Sequence, residues 1–475
     1  MNSIIKHKFK YLFLFIFFIG FFLRIYNINF DDLWIDEMST FWIANPNINI
    51  YESYKNNSSL ELQSFFYNFI MRLYFQILGY EVENSRYLSA IISSFSILSV
   101  SYISYIISYK RSYLITAFLI SFNIFLISYA QELRAYSLVF FFISLSILFY
   151  FLILRSLNYF NLFFFILTII FAIFLHPFSL ILLFSISFHI IINFFLKRNL
   201  FRQNQLKIFL SSILFIFVIS FIYYLIHLKN LIPNNSEAYF FLDNPNFKFL
   251  TNMFFSKFFG SRVIGILFLI LFLFAIKKLY KKILEFREIF FLLIFFILSY
   301  IIPIIYGFLF HPIIQAKYVI FVIIPLVLII SEFINELKNP IKNLLTIAIV
   351  IITLGNLTTE QTIKQFFSER RVYKPEINKS LKLINNSNYQ SYLVKVDPYD
   401  NLKEPWTNAL NNYLEHLNQR NQFNSKLLKE YNKIIGLTWI LCVHDLNYYG
   451  CNDKKFNEHQ KIYLNRLTLI LISIK

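Results

Sequence analysis

FDDLWIDEMSTFW, residues 30–42, places four carboxylates, Asp31, Asp32, Asp36 and Glu37, within one short stretch. It follows closely on the apolar run YLFLFIFFIGFF at residues 11–22. A charge at the end of such a run is costly in lipid unless it is paired, hydrated or used. The rest of the chain has to say whether these carboxylates lie at a membrane boundary, and on which side.

The chain of 475 residues is 57% hydrophobic and 15% charged, whereas a soluble domain carries about 25% charged residues. Apolar runs long enough to cross a bilayer recur through the first three quarters. The expected fold is an all-α polytopic membrane protein, since open sheet edges cannot sit in lipid. The N-terminus, MNSIIKHKFKYLFLFIFFIGFF, has the basic start and apolar core of a signal peptide. No small-residue cleavage site follows, so it reads as a retained first helix. The net charge of +18 would suit nucleic acid. Most basic residues of the membrane part, however, fall in short clusters between apolar runs, with no aromatic-interleaved or zinc-finger spacing. Membrane lipids, not nucleic acid, are the expected partners.

Spans are expected at about 11–28, 86–109, 112–130, 137–154, 160–175, 178–196, 208–227, 261–276, 289–307, 317–336 and 342–356, about eleven in all. With the N-terminus cytoplasmic, one set of connections holds Lys6, Lys8, Lys10, Lys110, Arg111, Arg155, Lys197, Arg198, Arg202, Lys207, Lys277, Lys278, Lys281, Lys282, Arg287, Lys338 and Lys342. The opposite set begins with the mostly acidic segment 29–85. This alternation follows the positive-inside rule and puts FDDLWIDEMSTFW outside. In that first outer loop, residues 61–80 place Leu62, Phe65, Phe66, Phe69, Ile70 and Leu73 near one helical face, with Glu61 and Arg72 left wet. The pattern reads as a helix lying in the membrane surface, and 38–45 as a shorter one.

The domains expected are a membrane domain over 1–356 and an extracytoplasmic mixed α/β domain over 357–475. The latter has strand-like runs at 392–396, 439–445 and 467–474 and a helix-like stretch at 408–431. It also holds both cysteines, Cys442 and Cys451, a disulfide candidate in an oxidising compartment.

Several polar groups fall at the outer ends of spans. YAQELRAYSL, residues 129–138, sets Glu132, Arg134 and Tyr136 between two apolar helices. Arg24 is near the outer end of the first helix, Arg86 starts the second, and Lys317 and Tyr318 start the tenth. Snorkelling is the simplest account of each of these bases. His176 and Pro177 end another span. The carboxylates Asp36, Glu37 and Glu132 suit a general base or a divalent cation, for which Asp36, Glu132 and His176 are the candidate ligands. The cations Arg86, Arg134 and Lys317 suit a lipid phosphate. No P-loop or GxGxxG segment points to a soluble nucleotide.

FFLRIYNINFDDLWIDEMSTFW resembles the opening signature of the GT-C glycosyltransferases of the dolichyl-phosphate-mannose-protein mannosyltransferase and aminoarabinose-transferase type (families 39 and 83). There a first helix ends in Leu-Arg and an extracytoplasmic Trp-x-Asp-Glu follows, matched by Trp34, Asp36 and Glu37. Arg86 matches an Arg near the start of the next helix. Glu132, Arg134, Tyr136, Ser137 and Leu138 match Glu-x-Arg-x-Tyr-Ser/Ala-Leu. Lys317-Tyr318, with Pro325, stands where the family has Arg-Tyr before a Pro-containing helix. Lysine keeps the charge but loses the bidentate fork. The resemblance covers roughly 15–340.

It implies transfer of a sugar from a polyprenyl-phosphate donor to a hydroxyl of a glycan, lipid or protein acceptor, with inversion, on the extracytoplasmic side. Asp36 is the implied base, Glu37 and Glu132 orient the acceptor or hold a metal, and Arg134, Lys317, Arg86, Tyr136 and Tyr318 serve the donor phosphate. A lipid or glycan transporter and an O-antigen ligase or polymerase are the alternatives. A transporter would often show an internal repeat with broken helices near the midplane, and a ligase would lack the early Trp-x-Asp-Glu. In the absence of retention motifs the expected location is a bacterial inner membrane.

Overall fold

The structure is a computed structural model that describes residues 3–60, 64–108, 111–198, 200–229, 258–285, 287–310, 312–359, 374–396, 403–428, 436–444 and 456–474. The helices in chain order begin α1 (Ser3–Ile25), α2 (Ile35–Ile43), α3 (Ile50–Leu60), α4 (Phe66–Leu78), α5 (Tyr87–Ser108), α6 (Ser112–Ser121) and α7 (Ile124–Ala130). They continue with α8 (Tyr136–Arg155), α9 (Tyr159–Leu175), α10 (Leu180–Phe195), α11 (Gln203–Lys229), α12 (Arg262–Glu285), α13 (Arg287–Leu309), α14 (Ile323–Asn335) and α15 (Asn339–Thr359). The C-terminal part adds α16 (Ile377–Asn385), β1 (Ser391–Val396), α17 (Lys403–Asn421), β2 (Lys426–Leu427), β3 (Thr438–Val443), β4 (Phe456–Leu464) and β5 (Leu467–Ile474).

Residues Met1–Tyr26, Arg86–Lys229 and Phe240–Glu369 form one compact unit. Asn27–Ser85 and Arg370–Lys475 belong to the other. The segment expected as an outer loop of the membrane domain therefore clusters with the C-terminal region.

The first unit is helical and apolar. Every expected span is met by a helix, but among the described residues seven are long and apolar enough to cross a membrane, or eight if the bent pair α6–α7 is one span. The expected count of about eleven is therefore not reached on length and composition. α9 and the stretch Ile320–Asn335 are apolar but short. α1 carries Lys6, Lys8, Lys10 and Arg24 within its length. α11 and α15 leave most of their apolar surface uncovered by protein, as a lipid-facing helix does.

The bend of 54° between α6 and α7 has an identifiable cause. The chain leaves the helix at Phe122, and Asn123 starts α7 by accepting the Leu126 amide on its side chain at 2.9 Å. A break inside an apolar layer strands carbonyls that lipid cannot satisfy. Arg24 fills them. Its guanidinium donates to Ile120 O at 2.9 Å, Ser121 O at 3.1 Å, Gly20 O at 2.8 Å and Ser93 Oγ at 3.0 Å. The side chain is fully buried. Arg24 therefore does not snorkel.

Gly20 lets the helices close on this cluster. A Cβ there would come within 2.7 Å of Ser121 Oγ and 2.8 Å of Ile97 Cδ1. Gly20→Val is expected to lower stability by about 1–3 kcal/mol, read as an earlier melting midpoint of the solubilised chain. An unchanged midpoint would contradict the close approach.

The second unit is built around a five-stranded sheet of order β2-β1-β3-β5-β4. β1 pairs in parallel with β2 and β3, while β5 runs antiparallel to β3 and β4. Leu393, Ile440, Cys442, Ile470 and Ile472 make one buried cluster. The three expected strands are present as β1, β3 and β5. The helix expected over 408–431 stops at Asn421, because Gln422 turns left-handed (φ 52°) and Lys426–Leu427 joins the sheet.

α2 packs into this unit through Ile43, which clusters with Leu60 of α3 and Ala409 of α17. Its Met38–Phe41 segment is buried, so 38–45 is not a helix lying in the membrane surface. α4 buries Tyr67, Met71 and Phe75 and leaves Leu73 and Ile77 exposed. Arg72, expected to be wet, is buried and donates to Asn45 O at 2.5 Å, to Pro46 O at 3.1 Å and to Ile48 O. Helix carbonyls and the chain leaving a helix need donors, and a long side chain with five N–H groups supplies several at once.

Candidate active site

The carboxylates of the opening stretch divide by role. Asp32 accepts the Asn378 backbone amide at 2.8 Å and its side-chain amide too, so it caps the first turn of α16 from a distant part of the chain. The Tyr413 hydroxyl donates to Asp32 Oδ1 at 3.5 Å and accepts the Leu33 amide at 3.3 Å. Glu37 is buried, with its Oε2 taking the Trp34 amide at 2.9 Å and the Lys374 ammonium at 2.6 Å. The first contact is half of a capping box on α2, and the second balances the buried charge.

Asp36 is half-buried in the first turn of α2. Its carbonyl accepts the Ser39 and Thr40 hydroxyls at 2.8 and 3.3 Å. The first turn of a helix favours an ionised carboxylate through the exposed amides and the macrodipole.

In the first unit, three separate segments bring Arg134, Tyr136, His176, Lys317 and Tyr318 together. Arg134 is buried in the irregular turn between α7 and α8, and Tyr136 opens α8. Lys317 Nζ lies 5.7 Å from the Tyr136 ring and 5.6 Å from the Tyr318 ring. The His176 ring is 5.0 Å from that of Tyr318 and 6.1 Å from that of Tyr136. His176 sits in the break between α9 and α10, and its Nδ1 accepts the Phe178 amide at 3.2 Å. Burial above all, then the Arg134 and Lys317 charges, hold the imidazole well below its ordinary range, so the ring is neutral. Two fixed cations beside a neutral, aromatic-lined corner make an anion-favouring environment.

Glu132 lies half-buried two residues before Arg134, and Arg86 is buried directly before α5. The same cations make His176 a poor ligand for a positive ion. Among the described residues no group of three or more His, Cys, Asp and Glu side chains could hold a metal. Cys442 is buried on β3 and disulfide-bonded, and Cys451 lies outside the described residues.

Solved structures with a similar chain path are now informative. ArnT from Cupriavidus metallidurans in the apo state is similar at a TM-score of 0.59 and 12% identity, covering 98% of this chain and 98% of that one. ArnT from the same organism bound to undecaprenyl phosphate gives 0.56 at 10% identity over 99% and 98%. The Archaeoglobus fulgidus oligosaccharyltransferase in complex with Zn and sulfate gives 0.53 at 12% identity over 91% and 68%.

The chain shares its fold with these solved structures. No protein-family model and no curated protein matches the chain. Within this fold, the partners of the acidic motif had no local signal in the sequence. Lys374, Asn378 and Arg466, whose guanidinium lies 4.5 Å over the Trp34 ring, come from more than three hundred residues away. Phe178, 5.5 Å from the Tyr318 ring, directly follows the His176-Pro177 pair and carries no polar signal of its own.

Proposed function

We propose that the protein transfers a sugar from a polyprenyl-phosphate donor to an acceptor hydroxyl on the extracytoplasmic side of the membrane. The observation that carries this reading is the convergence of Arg134 and Lys317 on Tyr136, His176 and Tyr318. A membrane protein retains buried cations where they are used or paired, and an anionic lipid head is the ligand they suit. The fold shared with ArnT from Cupriavidus metallidurans and with the Archaeoglobus fulgidus oligosaccharyltransferase supports it independently.

In the reaction, Asp36 takes the proton of the acceptor hydroxyl as its oxygen attacks the anomeric carbon. The bond from that carbon to the phosphate oxygen breaks, and its electron pair leaves with the lipid phosphate. Arg134 and Lys317 stabilise the charge gathering on that leaving group. A single displacement inverts the anomeric centre. Glu132 stands beside Arg134 in sequence and is assigned to orienting the acceptor. The location is a cell membrane with the N-terminus cytoplasmic.

The test is a panel of radiolabelled polyprenyl-phosphate sugars offered to the solubilised chain with crude membrane acceptor. Label is expected to leave one donor and appear in acceptor. Absence of both transfer and donor binding would sink the reading and favour a transporter. With the active donor known, Lys317→Gln is expected to raise its KM by about tenfold, while Lys317→Arg holds it near native. Equal KM values for the two variants would remove Lys317 from the phosphate site.

A further inference from the structure

We propose that Lys374 is a positioning residue for sugar transfer: its ammonium, held on Glu37, fixes the first turn of α2 and with it the Asp36 carboxylate. The inference rests on the role given to Asp36 above.

α2 has nine residues, too few to be stable as an isolated helix, so its geometry comes from what grips its ends. At its C-terminal end the donors are Tyr80, whose hydroxyl reaches Phe41 O at 2.9 Å, and Ser53, which reaches Ile43 O. At its N-terminal end the grip is Glu37. One oxygen of that carboxylate serves both the Trp34 amide and Lys374. The Glu37 side chain is 2% exposed and that of Lys374 15%. A carboxylate so deeply buried stays ionised only beside a cation, and Lys374 sets a cation on the very oxygen that caps α2.

Lys374 is itself held in place. The Asn465 side chain donates to the Lys374 carbonyl at 2.8 Å, and the Asn465 amide donates to Glu376 Oε2 at 2.9 Å. Asn465 and Arg466 form the turn between β4 and β5, with Arg466 left-handed at φ 51° and stacked over Trp34. The hairpin turn and Lys374 thus clamp Trp34 and Glu37, the two residues that bracket Asp36. A shift of about 1 Å at a reacting group costs up to about a hundredfold in rate.

The experiment uses the full chain in detergent. Amide hydrogen exchange over residues 34–38 is compared in the native chain, Lys374→Met and Lys374→Arg. Faster exchange in Lys374→Met and near-native protection in Lys374→Arg are expected. Unchanged protection in Lys374→Met overturns the clamp, whatever the activity.

Turnover is then measured per folded molecule. Lys374→Met is expected to lower kcat at least about tenfold while donor KM stays within about twofold. Lys374→Arg restores most of the loss, and Lys374→Met added to Glu37→Gln costs nothing further. Arg420→Ala is the control, because it breaks another ion pair of the same unit, to Glu83 on the surface. Native kcat in Lys374→Met, or an equal loss in Arg420→Ala, refutes the positioning role. If the native chain transfers no sugar at all, the proposed function falls, and the exchange result still decides whether Lys374 holds α2.

Discussion

An Asp36→Asn chain is expected to fold to the native level and to transfer sugar about 10²- to 10⁴-fold more slowly, with little change in donor KM. The substitution keeps the shape and removes the proton acceptor. It leaves the bonds from the Ser39 and Thr40 hydroxyls, which bind the Asp36 carbonyl rather than its carboxylate. The neighbouring acids behave differently. Asp32 is committed to the start of α16 and Glu37 to Trp34 and Lys374, so their loss acts through folding and position. The measurement is single-turnover transfer at matched folded protein, with the melting midpoint recorded alongside. Native-rate transfer by Asp36→Asn would move the base to Glu132.

Arg24→Met is expected to destabilise the chain by about 2–5 kcal/mol. The change leaves the Ile120 and Ser121 carbonyls at the α6 break without the Arg24 donors, and each unsatisfied buried acceptor costs about 1–3 kcal/mol. Ser93 and Gly20 lose a donor as well. Arg24→Lys is expected to fall between, because an ammonium has three donors and no planar fork. The check is thermal or denaturant melting of solubilised protein, read by loss of the monodisperse species. Arg155→Met, which breaks a partly exposed pair with Glu288 and a bond to the Ile106 carbonyl, gives the scale for a less buried arginine. A midpoint for Arg24→Met no lower than that of Arg155→Met would mean the break is satisfied in another way.

Hydrophobic runs located the helices, since lipid allows few alternatives to a helix. They did not say which helices are long enough to cross alone, because a break such as Phe122–Asn123 lies inside an unbroken apolar run. Short strand-like apolar runs marked β1, β3 and β5. β4, FNEHQKIYL, escaped because an edge strand with one polar, solvated side has little apolar content to read. The arginines misled most. Arg24 and Arg72 carry charges that favour water, yet each is buried on carbonyls supplied by turns elsewhere in its unit. The acidic motif was visible as a cluster of charge. Its division of labour was not, because that depends on Lys374, Asn378 and Arg466, which a local pattern cannot connect to it.

The carbonyls that receive Arg24 belong to residues 96 and 97 positions later in the chain. During synthesis, α1 therefore meets the bilayer carrying a cation that has the Gly20 carbonyl of its own helix, while its other three acceptors do not yet exist. Until α5 and α6 emerge, the rest of that guanidinium can be satisfied only by water, headgroups or the insertion machinery. Assembly of the amino-terminal half then acquires an order, with the contacts of α1 completed by α5 and α6.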